Sequence, residues 1–222
     1  MPEVGVAIAV RDGERWLGAA LDSVLAQTLP ATDVVVIDDG SRDGSAALAE
    51  RYAPLVRVER MAPSGIGAAR SRAFALVRGE LIAALDADDL LTPRSLSARV
   101  ASVAASAQPE MVFGHVRRFC ELGAEGEPVA LDDARPAHLP GAVLITRSAY
   151  ERIGPFATGV KVAEGLDWLL RARELRVREE TVPEQVLWRR VHGENNSLAQ
   201  RAALGEFPRA LKASLDRRRG RS

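Results

Sequence analysis

Val4 to Val10 is an almost unbroken apolar run ending in Arg11-Asp12-Gly13, the pattern of a parallel strand covered on both faces and closed by a turn. Trp16, Leu17, Ala20, Leu21, Val24 and Leu25 then recur at helical spacing until Pro30, which predicts an amphipathic helix. The alternation repeats. Val34 to Ile37 predicts a second strand, followed by the turn Asp38-Asp39-Gly40-Ser41 and a helix from about Ser45 to Tyr52. Val56 to Arg60 and Gly67 to Val77 predict a third strand and helix, and Gly79 separates them from a fourth strand, Leu81 to Leu85, that ends in Asp86-Ala87-Asp88-Asp89. Thr92 and Pro93 read as N-cap and first-turn residues of a helix reaching toward Ala107.

Strands and helices alternating at this spacing imply right-handed crossovers, hence an α/β fold with a mainly parallel sheet flanked by helices on both faces. After Pro109 the rhythm changes. Met111 to Phe119, Ala142 to Ile145 and Gln185 to Val191 predict strands; Arg147 to Ile153, Gly165 to Leu175 and Leu198 to Leu215 predict helices. Glu121 to Pro140 reads as a polar loop, long enough to suggest a functional role or disorder. The expected organisation is a nucleotide-binding half, residues 1–108, and an acceptor-binding and catalytic half, residues 109–222, within one globular domain.

Composition narrows the function. Thirty Lys+Arg balance thirty Asp+Glu among 222 residues, so the chain lacks the basic field of a general nucleic-acid binder. Its single cysteine, Cys120, excludes an internal disulfide and a cysteine-based zinc site. No apolar stretch approaches the roughly 20 residues that span a bilayer, and Met1-Pro2-Glu3 leads straight into a strand, so a cytoplasmic location is expected. The tail Arg217-Arg218-Arg219-Gly220-Arg221 reads first as a solvated terminus, with peripheral contact to anionic lipid as the alternative.

In open parallel sheets, ligands bind beyond the carboxyl ends of the strands, where helix N-termini point free N–H groups at the opening. The three polar turns after Val10, Ile37 and Leu85 fall there. Gathering five carboxylates on one rim is unfavourable unless a cation or a hydrogen-bonding ligand satisfies them, and magnesium or manganese, with Asp86 and Asp88 as ligands, is the natural partner. The bland alternatives are an Asx turn at Asp38-Asp39 and a helix-dipole acidic cluster at Asp86-Asp89. A receiver-type phospho-acceptor domain fits poorly, because the only lysines are Lys161 and Lys212. Gly65-Ile66-Gly67-Ala68-Ala69-Arg70 starts like a dinucleotide fingerprint but carries Arg70 where a small residue belongs.

Val4 to Leu25, Val34 to Ser45, Ser64 to Gly79 and Glu80 to Pro93 are similar, in order and spacing, to the first half of family 2 glycosyltransferases with the glycosyltransferase A fold. The likeness continues more loosely through Gly154-Pro155-Phe156, Glu164 to Arg171 and Arg189 to Ser197. By this resemblance the chain is an inverting, metal-dependent enzyme taking a nucleoside-diphosphate sugar, most often UDP-linked, to an acceptor hydroxyl on a glycan, a lipid carrier or a small natural product. Asp86-Ala87-Asp88 resembles the family's metal-binding acidic motif, Val10 and Arg11 lie near the nucleotide, Asp38 or Asp39 meets the base, and Arg70 faces the nucleotide. His192 resembles a late histidine that approaches the diphosphate or metal; capping its loop is the plain alternative.

Breaking a sugar–diphosphate bond also needs a base for the acceptor hydroxyl. Glu164 and Asp167, three apart at the start of a predicted helix, both qualify, and Asp167 is favoured. Many family members carry Glu-Asp here with the aspartate as base, whereas this chain has Glu164-Gly165. A degenerate relative that binds sugar or nucleotide without turnover is therefore the second reading. Trp168 suits either an acceptor wall or the core, and Arg189 and Arg190 either a phosphate contact or a solvated face.

Overall fold

A computed structural model describes residues 2–105, 108–160, 162–193 and 205–219. The first half follows the predicted alternation: β1 (Val4–Val10), α1 (Glu14–Leu25), β2 (Asp33–Asp38), α2 (Ser45–Glu50), β3 (Arg57–Arg60), α3 (Ile66–Leu76) and β4 (Leu81–Asp86). A two-residue strand β5 (Leu90–Leu91) and α4 (Ser95–Val103) follow. The second half holds β6 (Met111–Leu122), β7 (Pro128–Ala130), β8 (Arg135–Ala137), a 3-10 turn (Pro140–Ala142), β9 (Leu144–Thr146), α5 (Arg147–Ile153), α6 (Glu164–Glu174), β10 (Glu179–Arg190) and α7 (Glu206–Arg219).

One sheet carries them all, in the order β3-β2-β1-β4-β9-β6-β10-β5, with β7 and β8 paired to β6. The first four strands are parallel, as crossovers through α1, α2 and α3 require. Beyond β4 the sheet is mixed, since β9 runs antiparallel to both β4 and β6 while β10 runs parallel to β6. Alternation along β1 explains the layering. Val4, Val6, Ile8 and Val10 pack with Leu17, Leu21 and Val24 of α1 and Leu96 of α4, whereas Ala7 and Ala9 face Ala69, Ala73 and Phe74 of α3. Each fully buried aliphatic side chain contributes about 1.5–3 kcal/mol, so both faces are firmly held.

Three expectations change. Glu121 to Pro140 is not a bare loop: it forms β7 and β8, held by backbone pairing to β6. Thr92 does not cap α4; its hydroxyl donates to the Gln185 carbonyl at 2.6 Å, joining β5 to β10, and Arg94 takes the cap position. β10 starts six residues before Gln185, because pairing with Met111–Phe113 recruits the polar Glu179–Thr181 stretch into the strand across an irregularity near Pro183. The expected helix start at Leu198 and the segment Glu194 to Ser197 lie outside the described residues.

Candidate active site

The register sets the rim. Val10 pairs with Asp38 and Ala9 with Asp86, so β1, β2 and β4 end level and release Arg11, Asp39 and Ala87 side by side. The first two turns are stitched together: Ser41 Oγ accepts from the Asp12 N–H at 2.9 Å, Ser45 Oγ from the Gly13 N–H at 2.9 Å, and the Glu14 carboxylate from the Gly44 N–H at 2.9 Å. Above them opens a cleft of about 910 Å³. Val10, Arg11, Asp39, Arg70, Asp86, Ala87, Asp88, Glu164 and His192 all line it. Asp39 and Asp88, from different crossover turns, thus share one cavity.

Two expected residues stay outside its lining. Asp38 is fully buried beneath the rim, with Oδ1 accepting from the Ser41 N–H at 2.7 Å, so of the two aspartates Asp39 is the one at the cleft. The two Asp39 carboxylate oxygens accept from the Ser64 and Gly65 N–H groups at 2.6 and 2.9 Å, and Arg11 lies 3.7 Å away. Gly65 meets this contact with φ of +92°, a conformation that strains any other residue, and opens α3 at the cleft wall.

The acidic turn folds back on itself. The Asp89 N–H donates to the Asp86 carbonyl at 3.1 Å, and the bend sends the three carboxylates to three different partners. Asp86 pairs with Arg70 at 2.5 Å, Asp88 Oδ2 lies 2.9 Å from His192 Nε2, and buried Asp89 accepts from the Arg190 N–H at 2.8 Å. Burial, with Asp88 and Asp86 alongside, pushes the Asp89 carboxyl well above the usual carboxylate range. Arg190 also donates from Nε to the Asp88 carbonyl and covers the Phe119 ring, so it braces the turn, while Arg189 lines the cleft. Trp16 stacks on His192 with ring centroids 4.0 Å apart. Trp16 was not legible as a site residue, because it meets His192 across more than a hundred residues of chain; Arg190, read as a phosphate contact or a solvated face, turns out to brace the acidic turn instead.

Arg70 bridges the halves, with Asp86 on one side and Glu164 at 2.6 Å on the other. Burial works against its charge but is outweighed by Asp86, Glu164 and Asp88, which raise its pKa above the ordinary arginine value. Glu164 opens α6, is 6% exposed, and leaves Oε2 buried with no hydrogen-bond partner. Asp167 turns the other way, into Arg171 at 2.9 Å and Arg217 at 3.2 Å. The preference for Asp167 over Glu164 is therefore not carried by the geometry. Helical spacing alone placed both on one face; the position of α7 takes Asp167 out of the cleft. The same contact shows that Arg217 is not a freely solvated part of the tail.

The sequence profile of glycosyl transferase family 2 matches residues 6–157. The chain belongs to this family. An uncharacterized glycosyltransferase of Nostoc, alr2836, is 24% identical over 241 residues, covering 96% of this chain and 72% of that protein. EpsH of Bacillus subtilis, a protein named as a glycosyltransferase, is 34% identical over 95 residues, covering 41% of this chain and 28% of EpsH. The first solved structures it resembles are fragments of S. aureus TarS. The TarS 1–349 complex with UDP-GlcNAc superposes with a TM-score of 0.79 at 18% identity, covering 96% of this chain and 65% of that one. The chain thus spans about two thirds of the TarS fragment and has the same glycosyltransferase A-like architecture.

The glycine at position 165 has a physical reason in the fold. A Cβ built there falls 2.5 Å from Pro140 Cγ, so the ring of the 3-10 turn occupies the space a side chain would need. Trp168 belongs to the core: it is fully buried, stacks on Phe156 at 4.6 Å and donates from Nε1 to the Gly154 carbonyl. Among the described residues no cluster of three or more His, Cys, Asp or Glu side chains is placed to hold a metal, and no helix is long and apolar enough to cross a membrane.

Proposed function

We propose that the protein transfers a sugar from a UDP-linked donor to an acceptor hydroxyl with inversion at the anomeric carbon. One observation carries this reading: Asp39, the Asp88–His192 pair and the Arg70–Glu164 pair converge on a single cleft. Asp39 suits the nucleobase, since its carboxylate is fixed by two backbone N–H groups and keeps lone pairs for a base N–H.

A divalent ion fits the donor set. Asp88 Oδ2 and His192 Nε2 lie side by side, and magnesium or manganese commonly takes only one or two protein ligands and completes its shell with phosphate oxygens and water. Bound there, such an ion neutralises charge on the leaving diphosphate as a Lewis acid. Asp86, engaged by Arg70, acts on the site through that pair.

Glu164 is the base in this reading. Arg70 holds Oε1, and Oε2 takes the acceptor hydroxyl proton while the acceptor oxygen bonds to the anomeric carbon. The bond from that carbon to the diphosphate breaks, and its electron pair leaves with UDP. TarS fragments bind UDP-GlcNAc and UDP, which supports a UDP-sugar as the first donor to assay. The purified protein is expected to bind UDP more tightly with magnesium or manganese, and Asp88→Ala to abolish that metal response; unaltered UDP affinity and metal response in the variant would overturn the proposal. The missing acid at position 165 favours a second reading, a binding protein without turnover. Release of free sugar from UDP-sugars separates the two, because a working transferase leaks some donor to water.

A further inference from the structure

The cleft changes chemical character along its length. Beside the charged groups, the wall on the α6 side of the cleft, where Gly165 meets Pro140 and the Val162 N–H meets Glu206, carries Leu139, Pro140, Val160, Val162, Leu166 and Phe207, contributed by the start of the 3-10 turn, the loop before α6, α6 itself and the first turn of α7. Each of these six side chains is only partly buried, so the apolar surface faces the cavity. His138 lies among them, but its ring stacks on Phe113, Nε2 meets Thr181 Oγ1 at 3.0 Å and Nδ1 meets Arg173 at 2.8 Å, so its polar atoms are occupied. Among the described residues at this end, the one side-chain polar atom left buried and unpartnered is Glu164 Oε2. A sugar chain seated here would bring several hydroxyls to a wall whose described residues offer few side-chain partners for them, and each hydroxyl stripped of water without a replacement bond weakens binding.

We infer that the acceptor presents its reacting hydroxyl from an apolar body, an alkyl or terpenoid-like aglycone rather than a bare saccharide, with that hydroxyl at Glu164 Oε2 and the body along the Leu139–Leu166–Phe207 wall. The inference rests on the glycosyl-transfer reading for the role of Glu164, but the apolar preference of this end stands by itself. Gly165 fits the same picture: its missing side chain admits the Pro140 ring and extends the apolar wall up to Glu164.

The test uses the full chain and n-alkyl glucosides from methyl to octyl, below their micelle-forming concentrations, with binding measured calorimetrically in saturating UDP. Each methylene that enters the wall should tighten binding about fourfold, so that butyl or longer glucosides bind at least tenfold better than methyl. Leu166→Ser and Phe207→Ser, with folding checked by circular dichroism, should each flatten this dependence on chain length. Equal affinity from methyl to octyl in the unaltered protein overturns the proposal without any variant, and an undiminished dependence in both variants places the alkyl chain elsewhere and overturns it too. UDP titrated alone reports on the donor reading separately: failure to bind UDP, with the chain-length dependence intact, would sink that reading and leave this one standing.

Discussion

The two ends of the cleft are built by different means. The donor end rises from four parallel strands whose carboxyl ends stop level, and Arg11, Asp39, Asp86 and Asp88 each sit at or within a few positions of a strand end. Its geometry is local: a strand ends, a turn follows, and the turn is tied to its neighbour by Ser41, Ser45 and Glu14. The far end has no such frame. It is assembled from a 3-10 turn, a loop and the first turns of two helices, and it is supported from below by buried Arg99, which donates from Nη1 to the Ala142 carbonyl at 2.9 Å and from Nη2 to Ser95 Oγ at 2.8 Å. Burial without a facing carboxylate lowers the Arg99 pKa to about 10. A regular frame yields a site with fixed polar positions, whereas an irregular one yields a wall whose chemistry depends on which side chains happen to meet.

Four measurements sharpen or break this contrast. The largest effect is expected where the ends meet: Glu164→Gln should lower kcat by about 100- to 10,000-fold, the range for removing a general base, while UDP binding persists. Loss of UDP binding in that variant would mean Glu164 belongs to the donor end. Trp168→Ala removes the centre of the aromatic cluster with Phe74 and Phe156 under α6, and about 3–5 kcal/mol of stability should be lost in urea unfolding. Asp39→Ala should weaken UDP binding about ten- to a hundredfold, the equivalent of one or two hydrogen bonds to a charged group, with alkyl-glucoside binding unaffected.

The smallest effect concerns the sheet beneath the donor end. Asp33 accepts from Arg57 at 2.9 and 2.6 Å and from the Arg78 N–H at 2.7 Å; burial opposes its charge, but these contacts prevail and hold its pKa below the ordinary 3.8. The contribution of a carboxylate depressed in this way is present above pH 3.8 and fades as pH falls through the lower folded value. Asp33→Asn should therefore cost up to about 1 kcal/mol at neutral pH, and the gap from the unaltered protein should narrow as pH falls below 3.8.

Much of this site was open to reading from residue order alone, and the reasons are specific. β1 and α5 fall on their predicted bounds, Val4–Val10 and Arg147–Ile153, because each has a clear apolar period closed by a turn or a glycine. The acidic turns were visible because parallel strands bury both faces, so an aspartate pair directly after such a run stands out. Asp167 satisfies the same helical spacing as Glu164, and only contacts such as that with Arg217, fifty residues later, draw it away from the cleft that Glu164 lines. The stacking of Trp16 on His192 and the bracing of Asp88-Asp89 by Arg190 were silent because neither leaves a trace in local composition.

Strand and helix periodicity, turn residues and the clustering of acids at strand ends are local properties, and with them the chain alone determined an α/β architecture, the rim that would carry chemistry and the candidate carboxylates. Which partner each carboxylate meets, which acid of α6 enters the cleft, and what fills the space beside Gly165 are matters of contacts between segments far apart in the chain. Those contacts form only when the sheet brings Arg70 to Glu164, α7 to Asp167 and Pro140 to Gly165, so only the tertiary structure decided them.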